Sequence, residues 1–353
     1  MYEISHVTCE HIENPVSIDV ENPRFSWEVS SDQNQVYQSA YRIIVKKETG
    51  ETVWDSGKTE SKDTIEIKYN GEALVSTQKY HYQIISWNQD CEEAESQTQF
   101  FQTAFFQTTD WKAEWIEPDP LPQLPENPLE GANRKWMEFL SDMMQGKNPA
   151  MISDEENLKS QGLEPYDPPV RMRREFKLNG QIRSACLYLT AHGMYEVKIN
   201  GRPVTDSLFN PGFTTYDRRI RYQVFPVEHL LKTGENAIAV TIADGWYKGK
   251  IALGRGCEYG EVPGLLLQLE LTYTDGSKEK ICSDGSWHYS FDGPVRQADL
   301  FLGQTVDGRL KDGEPSVCGY PAENWKPVVV KGTPVVVKEK PGDARPGEGA
   351  CFT

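Results

Sequence analysis

The residues of this chain best suited to chemistry are aromatic and polar side chains gathered in a few short segments. His192-Gly193-Met194-Tyr195-Glu196 precedes Ile199-Asn200-Gly201-Arg202-Pro203-Val204, and Asn210-Pro211-Gly212-Phe213-Thr214-Thr215-Tyr216-Asp217-Arg218-Arg219 follows. Further on stand Asp244-Gly245-Trp246-Tyr247-Lys248-Gly249 and Gly303-Gln304-Thr305-Val306-Asp307-Gly308-Arg309. Aromatic faces stack on the C–H surfaces of sugars, while carboxylates, amides and guanidinium groups make the paired hydrogen bonds that hydroxyls require. The mixture therefore suits carbohydrate. The candidate binding residues are Tyr195, Glu196, Asp217, Asp244, Trp246 and Tyr247, with Asn210 and Asp307 behind them. Each has a structural reading beside the functional one. Trp246 and Tyr247 after a glycine also serve as core plugs, and Asp217 beside Arg218 and Arg219, like Asp307 beside Arg309, also forms a structural ion pair.

No catalytic constellation accompanies them. The chain has no Walker-type phosphate loop, no Gly-x-Ser-x-Gly elbow, no His-Glu-x-x-His and no dinucleotide fingerprint after a strand, so no catalytic residue and no organic cofactor is assigned. The paired carboxylates of a glycosidase come from different elements and are invisible to spacing. The six histidines show no metal-ligand spacing with one another or with cysteine. The seven cysteines, Cys9, Cys91, Cys186, Cys257, Cys282, Cys318 and Cys351, are odd in number and scattered, which reads as reduced thiols rather than a disulfide framework. With 53 acidic against 37 basic residues the formal charge is −16, which repels phosphate backbones and anionic lipid. Neither nucleic acid nor a membrane is an expected partner. No basic-then-apolar leader and no run of 18 apolar residues is visible, so a cytoplasmic location is expected.

The elements that would carry these segments are strands. At 353 residues the chain has room for two or three domains. Phe25 to Val29, Tyr41 to Val45 and Tyr80 to Ile84 alternate apolar with polar or are β-branched and aromatic, with turn signals at Asp55-Ser56-Gly57 and Asn70-Gly71. Residues 1–108 thus read as a fibronectin type III-like sandwich, without the Cys…Trp…Cys pattern of true immunoglobulins. The segment 117–169 holds nine of the 22 prolines and reads as an insert. Within it Trp136, Phe139, Leu140, Met143 and Met144 mark one short amphipathic helix between Asn133 and Gly146, packed on its own protein or docked into another. Strands return from Val170 to about Val330, with Asn200-Gly201 and Thr274-Asp275-Gly276-Ser277 as hairpin turns. Residues 109–330 read as a jelly-roll sandwich and 331–353 as a tail. The fold class expected is all-β: a fibronectin-like sandwich, then a jelly roll, with a Pro-rich insert carrying one helix.

An ordered series of motifs carries a family resemblance. Pro23-Arg24-Phe25-Ser26-Trp27, Gln38-Ser39-Ala40-Tyr41-Arg42-Ile43, Val53-Trp54-Asp55-Ser56-Gly57-Lys58 and Trp111-Lys112-Ala113-Glu114-Trp115-Ile116 open it. Arg173-Arg174-Glu175-Phe176, Tyr195-Glu196 to Asn200-Gly201, Leu208 to Tyr216, Tyr222-Gln223 and Asp244 to Gly249 continue it. Together they resemble the N-terminal region of bacterial α-L-rhamnosidases over nearly the whole chain. The resemblance implies a fibronectin-like domain followed by a jelly roll that in some members binds L-rhamnose with a calcium ion. Calcium is the one metal this brings into view, with its ligands unassigned. It also implies a catalytic (α/α)6 barrel elsewhere, whose Asp-Cys-Pro-x-Arg segment has no counterpart in these 353 residues. The expectation is an accessory region that binds rhamnose-type sugar without hydrolysing it, alongside a catalytic domain or partner subunit. Two other readings stand beside it: part of a complete rhamnosidase acting on terminal α-L-rhamnosides, and a structural spacer without sugar binding. Gln304 and Val306 stand where the family usually carries Glu and Tyr, which weakens any site built on that strand.

Overall fold

The computed structural model describes residues 2–119, 141, 144–145, 168–218, 220–251, 256–310, 313–333 and 348–352. The insert between 120 and 167, and with it nearly all of the helix expected at 134–145, lies outside the described residues. The chain divides into two compact units. The first is built on Met1–Lys112, with Arg221–Pro226 grouped beside it; the second is Ala113–Ile220 with Val227–Thr333.

The first unit has two antiparallel sheets. One orders β1 (Tyr2–Cys9), β2 (Arg24–Ser31) and β6 (Ile67–Lys68). The other runs β4 (Thr52–Asp55), β3 (Gln38–Lys47), β7 (Lys79–Asn88) and β8 (Glu93–Glu95), with β5 (Thr59–Glu60) on β3 and β9 (Gln99–Gln102) on β7. Period-two alternation fixes which side chains meet: Phe25 and Trp27 point inward from β2, and the register pairs Ile43 with Ile84 and Val45 with Tyr82. Phe25 lies 4.7 Å from the Tyr82 ring and 5.9 Å from Phe101, centroid to centroid, so aromatic contacts fill the middle of the sandwich. Cys9 is buried and Cys91 exposed, both as free thiols.

The turn signal Asn70-Gly71 falls at a bend just after β6, where a Cβ on Gly71 would lie 2.5 Å from Trp54 Cβ and from the Val53 carbonyl, so the glycine also permits a close approach of two segments. Tyr82 carries the one misfit of this core. Its hydroxyl is buried without a hydrogen-bond partner, and burial pushes its pKa well up. Tyr82→Phe keeps the ring and removes the unpaired group, so stability should rise by about 1 kcal/mol, seen as a higher melting temperature. A lower one would show that the hydroxyl is bound to something.

The second unit is also two antiparallel sheets, in keeping with the sandwich expected. Its first sheet runs β23 (Val329–Gly332), β10 (Trp115–Glu117), β17 (Gly264–Tyr273) and β12 (Ile182–His192), with β18 (Lys278–Cys282) on β17. Its second runs β14 (Arg202–Pro203), β13 (Met194–Ile199), β16 (Gly234–Ala243), β11 (Val170–Leu178), β19 (His288–Ser290) and β22 (Lys326–Pro327). A separate hairpin joins β20 (Val295–Asp299) to β21 (Gly303–Val306). Two more strands, β15 (Ile220–Pro226) and β24 (Glu348–Phe352), complete the described set. Leu187, Leu189, Val197, Ile199, Val240, Leu267 and Trp287 are buried core. Asn200 at φ 51° and Gly201 at φ 79° form the two-residue turn expected between β13 and β14, where Ile199 faces Arg202.

Candidate functional site

Three chain reversals of the second unit bring the aromatic side chains together. Strand β12 ends at His192, β13 begins two residues later, and β16 ends at Ala243 with Asp244–Gly249 following it. The register sets Met194 opposite Ala243, so His192 and the Asp244–Gly249 segment emerge at the same end of the unit. The segment before β15 is fastened to that end as well: Tyr195 N donates to the Asn210 carbonyl at 2.8 Å, and Asn210 Nδ2 donates to the Ser207 carbonyl at 2.9 Å.

The result is an aromatic cluster with a buried column and an exposed rim. In the column the imidazole of His192 lies between two rings, with Trp115 at 4.0 Å and 12° on one face and Tyr247 at 4.4 Å and 4° on the other. Tyr216 meets Tyr247 edge-on at 5.3 Å and lies 5.2 Å from Tyr259. At the rim Trp246 has Phe213 at 6.1 Å and Phe209 at 6.4 Å, and Phe213 also reaches Tyr259 at 6.5 Å. Leu208, Phe209 and Phe213 are 77%, 58% and 50% exposed. Apolar rings left this open on the surface of a folded sandwich are the informative feature, because a single exposed aromatic is ordinary and a contiguous group is not.

The electrostatics of the column are those of a dry interior. His192 Nδ1 is buried with no hydrogen-bond partner, and burial pulls the imidazole pKa down to about 4. Burial likewise raises the Tyr247 hydroxyl, with Glu117 and Cys257 adding to the effect, and pushes Tyr216 up well beyond the ordinary tyrosine value. Thr214 Oγ1 is a second buried polar atom without a partner beneath the rim.

The eight candidate residues separate accordingly. Trp246 is half-buried at the rim, as a sugar platform would be. Tyr247, its neighbour in sequence, is stacked in the column and serves as a core plug. Tyr195 is not at a ligand surface: it is in the core, and burial raises its hydroxyl well above the ordinary value. Glu196 lies on the opposite, exposed face of β13. Asn210 is buried, and its amide is used to hold its own loop. Asp217 and Arg218 are exposed and 3.9 Å apart. Asp244 is 3.6 Å from Lys248 Nζ. Asp307 accepts two bonds from the Arg309 guanidinium, at 2.8 and 2.7 Å, and is a structural ion pair of the second hairpin. Among the described residues no three His, Cys, Asp or Glu side chains converge on one point. Asp217, Asp244 and Asp307 each lie within 4 Å of a cationic side chain.

His192, Phe213 and Tyr216 stand in the segments singled out above for chemistry but not among the eight binding candidates, and Phe209, Trp115 and Tyr259 complete the cluster from outside those segments. Trp115 sits 77 residues before His192 in sequence and Tyr259 twelve after Tyr247, so no spacing rule links them.

Comparison with known proteins places both units. A family model for an α-L-rhamnosidase N-terminal domain matches residues 180–344, and one for a Rha78A-like N-terminal immunoglobulin domain matches residues 4–107. The latter is the sandwich read above as fibronectin-like; the two share an architecture. An α-L-rhamnosidase of Formosa agariphila is 32% identical over 336 residues, covering 93% of this chain and 33% of that protein. In structure, native α-L-rhamnosidase from Aspergillus terreus matches with a TM-score of 0.77 at 28% identity, over 95% of this chain and 34% of that one. A Streptomyces avermitilis α-L-rhamnosidase complexed with L-rhamnose shares the fold, with a TM-score of 0.78 at 22% identity over 99% of this chain and 46% of that one. The chain spans about a third of the length of the curated Formosa relative and 44% of one from Streptomyces avermitilis.

Proposed function

Since the chain belongs to the N-terminal region of the α-L-rhamnosidase family, we propose that it binds rhamnose-type carbohydrate on the aromatic rim of its second unit, without itself hydrolysing the sugar. The observation that carries this reading is the rim: Phe209 and Phe213 stand open beside Trp246, and the residue that follows it, Tyr247, is anchored in the stack on His192. A ring held by its neighbours loses little freedom when a sugar settles on it, so more of the contact energy appears as affinity. Asp244 and Lys248, next to Trp246 in sequence, supply an acceptor and a donor for hydroxyls. In the whole protein such a module would hold a rhamnose-bearing substrate near a catalytic domain that cleaves terminal α-L-rhamnosides.

A calorimetric titration with L-rhamnose tests the reading, run once with millimolar calcium and once with a chelator. Saturable heat is expected with calcium present. Heat lost with the chelator would make calcium part of the site, heat kept in both arms would leave the rim sufficient by itself, and no heat in either would favour the structural-spacer reading. Trp246→Ala should weaken binding by more than about tenfold, as removal of a central aromatic contact does, while the melting temperature stays nearly unchanged because the ring is half-exposed.

A further inference from the structure

A polar cleft of about 730 Å3 opens in the first unit, between Glu10 and Arg24 on one side and Lys68 to Asn70 on the other, with Val20 and Asn22 in its lining. Its volume lies in the range of small-molecule sites. Its frame is rigid. Arg24 Nε and Nη2 donate to the two oxygens of Glu10 at 3.1 and 2.7 Å, and Arg24 Nη1 donates to Glu66 Oε1 at 2.9 Å. The backbones are tied too, with Arg24 N donating to Glu10 Oε1 at 2.6 Å and Glu10 N to the Arg24 carbonyl at 2.8 Å. On the far side Tyr69 N donates to the Pro23 carbonyl at 2.8 Å, and the Tyr69 hydroxyl donates to the Glu72 carbonyl at 2.7 Å.

These bonds engage the charges of Glu10 and Arg24 and leave a different set of groups open. Asn22, Lys68 and Asn70 are exposed, and no ion pair or side-chain hydrogen bond engages them among the described residues. Two amides and an ammonium on a fixed frame match a ligand dense in hydroxyls. A strong anion is a poor match, because Arg24 is already balanced by Glu10 and Glu66 in a chain of charge −16. Val20, half-buried, is the aliphatic side chain of the lining.

We propose that this cleft is a second carbohydrate site, taking one neutral 6-deoxyhexose unit of the L-rhamnose type. Asn22, Asn70 and Lys68 bind the ring hydroxyls, and Val20 receives the methyl that stands where an ordinary hexose carries a hydroxymethyl group. The choice of rhamnose rests on the function proposed above; the choice of a hydroxyl-rich ligand rests on the cleft alone. Two sugar sites on one chain would let it engage a branched or repeated glycan at two points, raising avidity without any new contact.

Protein-observed NMR on the whole chain tests this, following the side-chain amide signals of Asn22 and Asn70 and the indole signal of Trp246. The probes are L-rhamnose and L-mannose, its counterpart with a hydroxyl on C6. The two amide pairs should shift saturably with L-rhamnose and require about tenfold more L-mannose, because the extra hydroxyl meets Val20. Lys68→Ala with Asn70→Ala, both at exposed positions, should abolish the Asn22 response and leave melting and the Trp246 response unchanged. Asn22 and Asn70 signals that stay still, or that respond equally to both sugars, overturn the inference even if Trp246 moves. Moving amides with a still Trp246 would sustain this site and overturn the rim as the first one.

Discussion

Gln38→Met is expected to cost the first unit about 3–5 kcal/mol, although the replacement is nearly the same size and shape. Gln38 is a buried hub. Its Oε1 accepts from Trp27 Nε1 at 3.0 Å and from Ser86 Oγ at 2.8 Å, while its Nε2 donates to the Asp63 carbonyl at 2.8 Å and to that of Ser61 at 3.3 Å. Ser86 Oγ in turn lies 2.6 Å from the Tyr2 hydroxyl. Strand β2 of one sheet and β3 and β7 of the other therefore meet at one side chain, and β1 joins them through Ser86. Methionine fills the space but neither donates nor accepts usefully, so the indole N–H loses its partner away from water and Ser86 keeps only Tyr2 of its two. Each unpaired buried group costs about 1–3 kcal/mol, and a half-satisfied network is worse than none. Urea unfolding followed by the fluorescence of Trp27 and its neighbours would measure it. A loss below about 1 kcal/mol would mean that water reaches the hub and takes over its bonds.

This hub also marks where the sequence stops being readable. Phe25, Trp27, Ile43, Val45, Tyr82 and Ile84 announce themselves as core because an apolar residue at every second position of a strand has one place to go. Asn200-Gly201 is as plain, since its left-handed angles suit few other pairs. Gln38 opens a strand and reads as surface; its burial depends on partners 11, 23, 25 and 48 residues away. Asn70-Gly71 is legible only in part: the bend is there, but that its backbone is pressed against a tryptophan is not written in the dipeptide.

The site follows the same division. The kinds of residue a sugar platform needs were visible, and so were the segments bearing them, yet the roles within a segment were not. Tyr195 and Glu196 are adjacent, and strand alternation sends one into the core and the other to solvent; only the pairing of β13 with β16 decides which. Trp246 and Tyr247 are adjacent in a loop where no period applies, and the stack on His192 claims the second and leaves the first at the rim. Asp217, Asp244 and Asp307 look, by type and position, like partners for sugar hydroxyls. The structure gives each a nearby cation, so their spacing recorded local ion pairing as much as any site.

His192→Phe should remove a pH dependence of about 3 kcal/mol from the second unit. In the folded chain the imidazole is covered on both faces, its Nδ1 has no partner, and its pKa is held near 4, against 6.5 for an ordinary histidine. Above pH 6.5 it is neutral whether the chain is folded or not, and it contributes no slope. Between 6.5 and 4 the unfolded chain takes up a proton that the folded one refuses, so stability falls as the pH falls. Over 2.5 pH units, at 1.36 kcal/mol each, the loss approaches about 3 kcal/mol and then levels off. The charged groups facing this column include Glu117, beside Gly264, and the Asp244–Lys248 pair next to Tyr247. Phenylalanine keeps the stack between Trp115 and Tyr247 and cannot be protonated. Wild type and variant should thus differ little at pH 7.5, while at pH 4.5 the variant should melt several degrees higher. Parallel curves across that window would mean that His192 accepts a proton in the folded state, with its charge carried by the faces of the two flanking rings. In that case the column would tolerate acid across the window in which a neutral imidazole is expected to cost stability.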